Sequence, residues 1–403
     1  MRRNYFMGIA AALAMAAWTP RALADGDDES SGRDRDDERI LSIDHYVNHV
    51  STIPATAGHH VQLFVRERVR GGVEDLGRDT EANGSVVLFI HGGTYPSVAD
   101  YDLDFKNYNF MAYLARAGFD VYSMDIQGYG WSTRPFPMGD PCNISAAQQP
   151  LISPYPIPAS AIPCAASYSF VLSNSQSDWD EVDRVVDFVR ARTGQDRLNL
   201  VGWSGGGPRF GGYAALHPEK VDRVVLLAPG YSRATPDNPP KLPQPGVPYA
   251  VSTRNRAFHE RWDIQVHCEN QFDPGIRDVI WATNMKFDPV AATWGPGVVR
   301  ARTQTSFGWN AKMAAKVKAP LLLLSGEFDQ EVNPQRVHEL FADVSSDSKV
   351  FINIQCASHY VPYETQHMVL LESTKEWLLH GTFMGVSRGA FNADPSGGIQ
   401  RVE

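Results

Sequence analysis

L-N-L-V-G-W-S-G-G-G-P, residues 198 to 208, sets Ser204 at the end of an apolar run with a glycine-rich turn behind it. In the pattern G-x-S-x-G, here Gly202 to Gly206, the serine must adopt a strained backbone conformation, and small neighbours are required where side chains would otherwise collide. The segment that follows, G-Y-A-A-L-H-P, reads as helical, so the serine is expected at a sharp strand-to-helix turn. Such a turn lifts a hydroxyl clear of a sheet edge.

Working outward, short apolar runs at 86–90, 119–125, 198–203, 221–227, 321–324 and 350–354 read as strands covered on both faces. Helical patterns at 106–117, 176–193, 207–217, 334–344 and 363–380 separate them, which predicts a mostly parallel α/β sheet with crossover helices. Residues 60–70 alternate polar and apolar, as an antiparallel strand near the sheet edge does. Two stretches break the rhythm. Eight prolines between 135 and 163 predict an irregular loop. The segment 231–310 carries Phe258, Trp262, Phe272, Trp281, Phe287, Trp294, Phe307 and Trp309, and reads as an inserted cap whose aromatic residues build a core of its own, with several facing the pocket. The expected core is therefore 40–230 with 311–403.

A serine hydroxyl needs a base, and that base needs an acid to fix its tautomer. Of twelve histidines, His359 in C-A-S-H-Y follows the last apolar run directly, at the strand end where sites in parallel sheets gather. Asp329 in S-G-E-F-D-Q holds the matching place after the preceding run, with Glu327 as competitor. The oxyanion donors are expected from Gly205 and from Gly93 in H-G-G-T, with Thr94 in reserve. The base form of His359 predicts activity that rises with pH, with a midpoint near or somewhat below 6.5.

These motifs, with D-I-Q-G-Y-G-W-S at 125–132, resemble those of the α/β-hydrolase superfamily over roughly residues 85–379. Many lidded members read D-x-R-G-x-G-x-S at that place; here Gln127 stands for the arginine. The resemblance implies a serine hydrolase acting through an acyl-enzyme, a mechanism that calls for no cofactor or metal, and aromatic side chains of the insertion over Ser204 would favour a small-molecule ester with apolar or aromatic groups. The alternative it leaves is an exopeptidase or amidase similar to proline iminopeptidases, with Glu260 or Glu269 binding a free amino terminus; carbon-carbon bond hydrolysis, perhydrolysis and a non-catalytic binding role are weaker readings.

The amino-terminal 24 residues have a basic start, a short apolar run and the ending A-L-A, the form of a signal peptide. Arg2 and Arg3 leave a twin-arginine route open. Residues 25–39 are nearly devoid of apolar side chains and predict a disordered acidic linker. A periplasmic or secreted protein is expected. With a net charge of −9 and no basic stripe, nucleic acid is an unexpected partner; no later run is long enough for a membrane span, and the oligomeric state is open. Four cysteines allow three pairings. Proximity favours Cys142 with Cys164, leaving Cys268 with Cys356, and free thiols are the alternative.

Overall fold

The computed structural model describes residues 39–71, 82 and 85–402. The expected leader, and the acidic linker apart from Arg39, lie outside the described residues. Ten strands form one sheet: β1 (Ile40–Val50), β2 (His60–Arg70), β3 (Val86–Ile90), β4 (Asp120–Met124), β5 (Leu198–Trp203), β6 (Val221–Leu227), β7 (Leu321–Gly326), β8 (Lys349–Ile354), β9 (Arg388–Ala393) and β10 (Ile399–Arg401). Their spatial order is β1-β2-β4-β3-β5-β6-β7-β8-β9-β10. Pairing is parallel from β4 through β9 and antiparallel at both margins, where β1 meets β2, β2 meets β4, and β9 meets β10.

Apolar side chains leave both faces of the parallel strands, because helices cover both. Along β3, Val87 and Phe89 join the layer of Phe110, Leu114, Leu370 and Trp377, while Val86, Leu88 and Ile90 join that of Val182, Val185, Val186 and Val189. The latter four valines recur at helical spacing on one face of the helix Ser175–Thr193. That helix begins with a capping box between Asn174 and Ser177 and stops at Gly194, whose φ of 71° is the left-handed conformation that ends many helices.

Several boundaries differ from the sequence reading. The helix expected from residue 106 starts at Phe110, where Asn109 accepts from the Ala112 N–H, and a further short helix spans Ser97–Tyr101. The helix after Ser204 opens with a wide turn, Gly207–Gly211, before Gly212–Leu216. The last helix starts at His367, not residue 363. β1, β9 and β10 were not expected as strands.

The insertion does not pack alone. Its hairpin strands Tyr249–Thr253 and Val298–Arg302 share a cluster with Met138, Ile144, Ile152 and Ile157 from the proline-rich excursion. The aromatic residues of 231–310 form a core of their own only in part: Phe258, Trp262, Phe272 and Trp281 pack on one another and join the layer of Tyr360 and Tyr363, whereas Trp294 packs with the excursion, Phe287 lies against Phe64, and Phe307 and Trp309 enter the layer beneath β5. Two disulfides are present, Cys142–Cys164 and Cys268–Cys356. Among the described residues, no helix is long and apolar enough to cross a membrane and no group of residues could hold a metal ion.

Candidate active site

β5 ends at Trp203, and Ser204 turns the chain with a φ of 55°, a conformation that L-residues other than glycine seldom adopt. Three backbone bonds hold this strained residue: its N–H donates to Leu227 O at 2.9 Å, and its carbonyl accepts from Gly207 and Gly230, each at 2.9 Å. The flanking glycines are required by close approach. A methyl group at Gly202 would lie 2.9 Å from Gly206 O, and one at Gly205 would lie 3.0 Å from Gly93 N. The second contact shows how tightly the turn seats against the segment after β3.

That segment presents its amides in an ordered way. Gly92 N–H is occupied by the Asp100 carboxyl at 2.8 Å, whereas the N–H groups of Gly93 and Gly205 meet no acceptor among the described residues. The Gly92 carbonyl accepts from His91 Nδ1 at 2.6 Å and from Arg209 at 2.9 Å, and the His91 carbonyl accepts from Arg209 at 2.7 Å. His91 Nε2 accepts from Ile126 N–H, so its proton sits on Nδ1; burial, then the nearby Arg209 charge, keeps the ring neutral. Burial pushes the Asp100 carboxyl up to about 8, against the pull of the Gly92 and Tyr363 hydrogen bonds.

On the loops after β7 and β8, Asp329 and His359 meet. The carboxylate oxygen Oδ2 lies 2.8 Å from His359 Nδ1, and Oδ1 accepts from the N–H groups of Glu331 and Val332 at 2.8 Å each. This fixes the imidazole with its Nε2 free. Burial alone would lower the His359 pKa, but the Asp329 charge and hydrogen bond, with Glu331 beyond, outweigh it and carry the pKa above 6.5. The sequence-based midpoint is thereby corrected upward. Glu327, the competing acid, is exposed and caps the Cys356 N–H at 3.0 Å.

Ser204, His359 and Gly93 line one cavity of about 120 Å³ with Gly92, Thr94, Tyr95, Asp100, Trp203, Arg261, Glu331 and Tyr360. Asp329 reaches it through the imidazole. Among the described residues the Ser204 hydroxyl makes no direct hydrogen bond to His359 in this conformation; such bonds often tighten only when substrate is present. Several of the insertion's eight aromatic residues were expected to face the pocket, but none of the eight lines this cavity. The insertion instead contributes Arg261, which donates to Glu331 and, at 3.3 Å, to Thr94. Glu260 and Glu269 are both exposed and do not line the cavity.

Sequence reasoning missed Tyr95, Asp100, Arg209, Arg261, Glu331 and Tyr360. Glu331 and Tyr360 each lie within two residues of an expected site residue, a signal that could have found them. Arg261 carried none, because its place depends on how the insertion folds back. The His359 loop is held from both sides: Gln265 accepts from His359 N–H at 3.2 Å, and the buried Glu364 accepts from Ser358, Trp262 and Gln271.

Residues 85–373 match a family model described as alpha/beta hydrolase fold. The chain is 51% identical over 49 residues to the poly(3-hydroxyalkanoate) polymerase subunit PhaC of Haloferax mediterranei, which is 12% of this chain and 10% of that protein. To the same subunit of Allochromatium vinosum it is 42% identical over 57 residues, 14% of this chain and 16% of that one. The chain thus spans less than a fifth of the length of the curated relatives it matches. Among solved structures, a serine hydrolase involved in carbazole degradation (CarC enzyme) superposes with a TM-score of 0.49 at 15% identity, covering 84% of this chain and 99% of that chain. Naproxen esterase (carboxylesterase NP) from Bacillus subtilis gives 0.45 at 15% identity, covering 84% and 92%.

Proposed function

The chain belongs to the alpha/beta hydrolase fold family, and from that premise we propose that it is an exported serine hydrolase that cleaves carboxylic esters through an acyl-enzyme on Ser204. The observation that carries this reading is the shared cavity of Ser204 and His359, with Asp329 bonded to the far side of the imidazole.

His359 Nε2 takes the Ser204 proton as the serine oxygen bonds to the ester carbonyl carbon. Negative charge then develops on the carbonyl oxygen, where the N–H groups of Gly93 and Gly205 are available to stabilise it. The imidazolium gives its proton to the departing alcohol, and the carbonyl re-forms as the acyl-serine. Water, deprotonated by the same nitrogen, attacks this acyl group; the imidazolium then gives its proton to the Ser204 oxygen as the acyl-serine bond breaks and the acid is released. Asp329 keeps the ring in the tautomer that both steps use. Two disulfides among the described residues agree with an oxidising compartment, which supports export.

The exopeptidase reading asks for carboxylates free to hold an amino terminus. Glu260 and Glu269 face solvent, and Glu331 is engaged by Arg261 and Tyr360. A panel of p-nitrophenyl esters beside alanine and proline arylamides tests the choice. Esters should turn over faster, and Ser204→Ala should lose the activity while keeping its thermal transition; faster turnover of the arylamides would overturn the proposal.

A further inference from the structure

Resting on the ester-hydrolase reading, we propose that the cavity selects esters whose short acyl group carries a neutral hydroxyl, recognised by Tyr95, Arg261 and Glu331. The cavity is small, about 120 Å³, against about 300–1,000 Å³ for common ligand pockets, which favours a short acyl group. Thr94 and Tyr95 follow Gly93 directly and line the same cavity as Ser204, Arg261 and Glu331. Tyr95 is 5% exposed, yet its hydroxyl has no hydrogen-bond partner among the described residues. It therefore has both a donor and an acceptor to offer a ligand.

Near it stands an ion pair. Arg261 donates to Glu331 and Thr94, and the Tyr360 hydroxyl donates to Glu331. Burial would raise the Glu331 pKa, but the neighbouring His359 and Arg261 hold it below the usual carboxylate range, so the group is anionic at neutral pH. A plain alkyl acyl group would dry these polar atoms without replacing their water, which sites of this kind penalise. An acyl group bearing a carboxylate would meet Glu331 and find Arg261 of the cavity wall already engaged. A neutral hydroxyl suits both constraints: it can accept from Tyr95 or Arg261 and donate to Glu331.

The test uses the purified full chain and three p-nitrophenyl esters: 3-hydroxybutyrate, butyrate and the hemisuccinate. We expect kcat/KM for the hydroxy ester to exceed each of the others by about tenfold, the scale of one well-placed hydrogen bond. Tyr95→Phe should shrink the ratio between hydroxybutyrate and butyrate several-fold, and Glu331→Gln should shrink it as well. Equal or faster turnover of butyrate or hemisuccinate would overturn the selectivity and leave the ester-hydrolase reading standing. So would an unchanged ratio in a folded Tyr95→Phe protein, or a preference that follows the hydroxyl when it is moved to the alcohol side, with 2-hydroxyethyl butyrate against ethyl butyrate. Failure to hydrolyse any ester would bring down both readings.

Discussion

Ser204 shows at the scale of one residue how strain and chemistry are joined: a φ of 55° aims the hydroxyl at the cavity, and bonds to Leu227, Gly207 and Gly230 keep it there. His359 carries the testable consequence. In the proposed mechanism its neutral form is the base, and its pKa is raised because Asp329 and Glu331 together outweigh the burial that favours the uncharged ring. Activity should therefore be low in acid and rise with pH about a midpoint above 6.5, read from kcat/KM on a p-nitrophenyl ester across pH 5 to 9. A midpoint below 6.5 would contradict this arrangement. Ser204, Asp329 and His359 could be picked out in the sequence because each follows an apolar strand directly. The upward shift could not, since it rests on the balance of burial against Asp329 and, beyond it, Glu331, which in the sequence looks like one more turn carboxylate.

Among elements, the strongest coupling is a buried set of charges beneath the serine turn. Arg209, just past Ser204, bonds Asp178 at 2.9 Å and the carbonyls of His91 and Gly92; Arg302, at the end of an insertion strand, bonds Asp178 and Glu181. Glu181 in turn accepts from the backbone and side chain of Gln127, each at 2.8 Å. Gln127 and a guanidinium supplied from the insertion thus meet on the same carboxylate oxygen of Glu181. Arg302 is 1% exposed at its side chain, so Arg302→Met would leave the buried Glu181 without a cation and Asp178 with Arg209 alone. We expect a loss of about 3–5 kcal/mol in urea unfolding; a change under about 1 kcal/mol would show that the network does not bear on stability. The departure at Gln127 was visible in the sequence. Its partner was not, because Arg302 lies far along the chain and nothing local marks it.

For the molecule as a whole, the parallel sheet was readable from apolar runs alternating with helical patterns, since strands covered on both faces admit little else. The margins were not. β1 is largely exposed, and β9, R-G-A-F-N-A, is short and mixed in character, so neither has the apolar density that betrays an interior strand. The insertion was recognised by position, but its packing was misjudged in part: its aromatic side chains also serve the cores around it and leave the cavity wall to Arg261. Cys268–Cys356 ties the insertion to the His359 loop across 88 residues, a closure worth about 4–5 kcal/mol in the chain-entropy account. With Gln265 and Glu364 it fixes the insertion against the loop that carries the base. All of this converges on one hydroxyl. The most direct measurement is therefore mass spectrometry after treatment with a fluorophosphonate: a single adduct on the peptide bearing Ser204, absent from Ser204→Ala and much slower to form in His359→Ala, is the predicted result. Ester hydrolysis that continues with Ser204 unlabelled, or with the adduct elsewhere, would contradict the account.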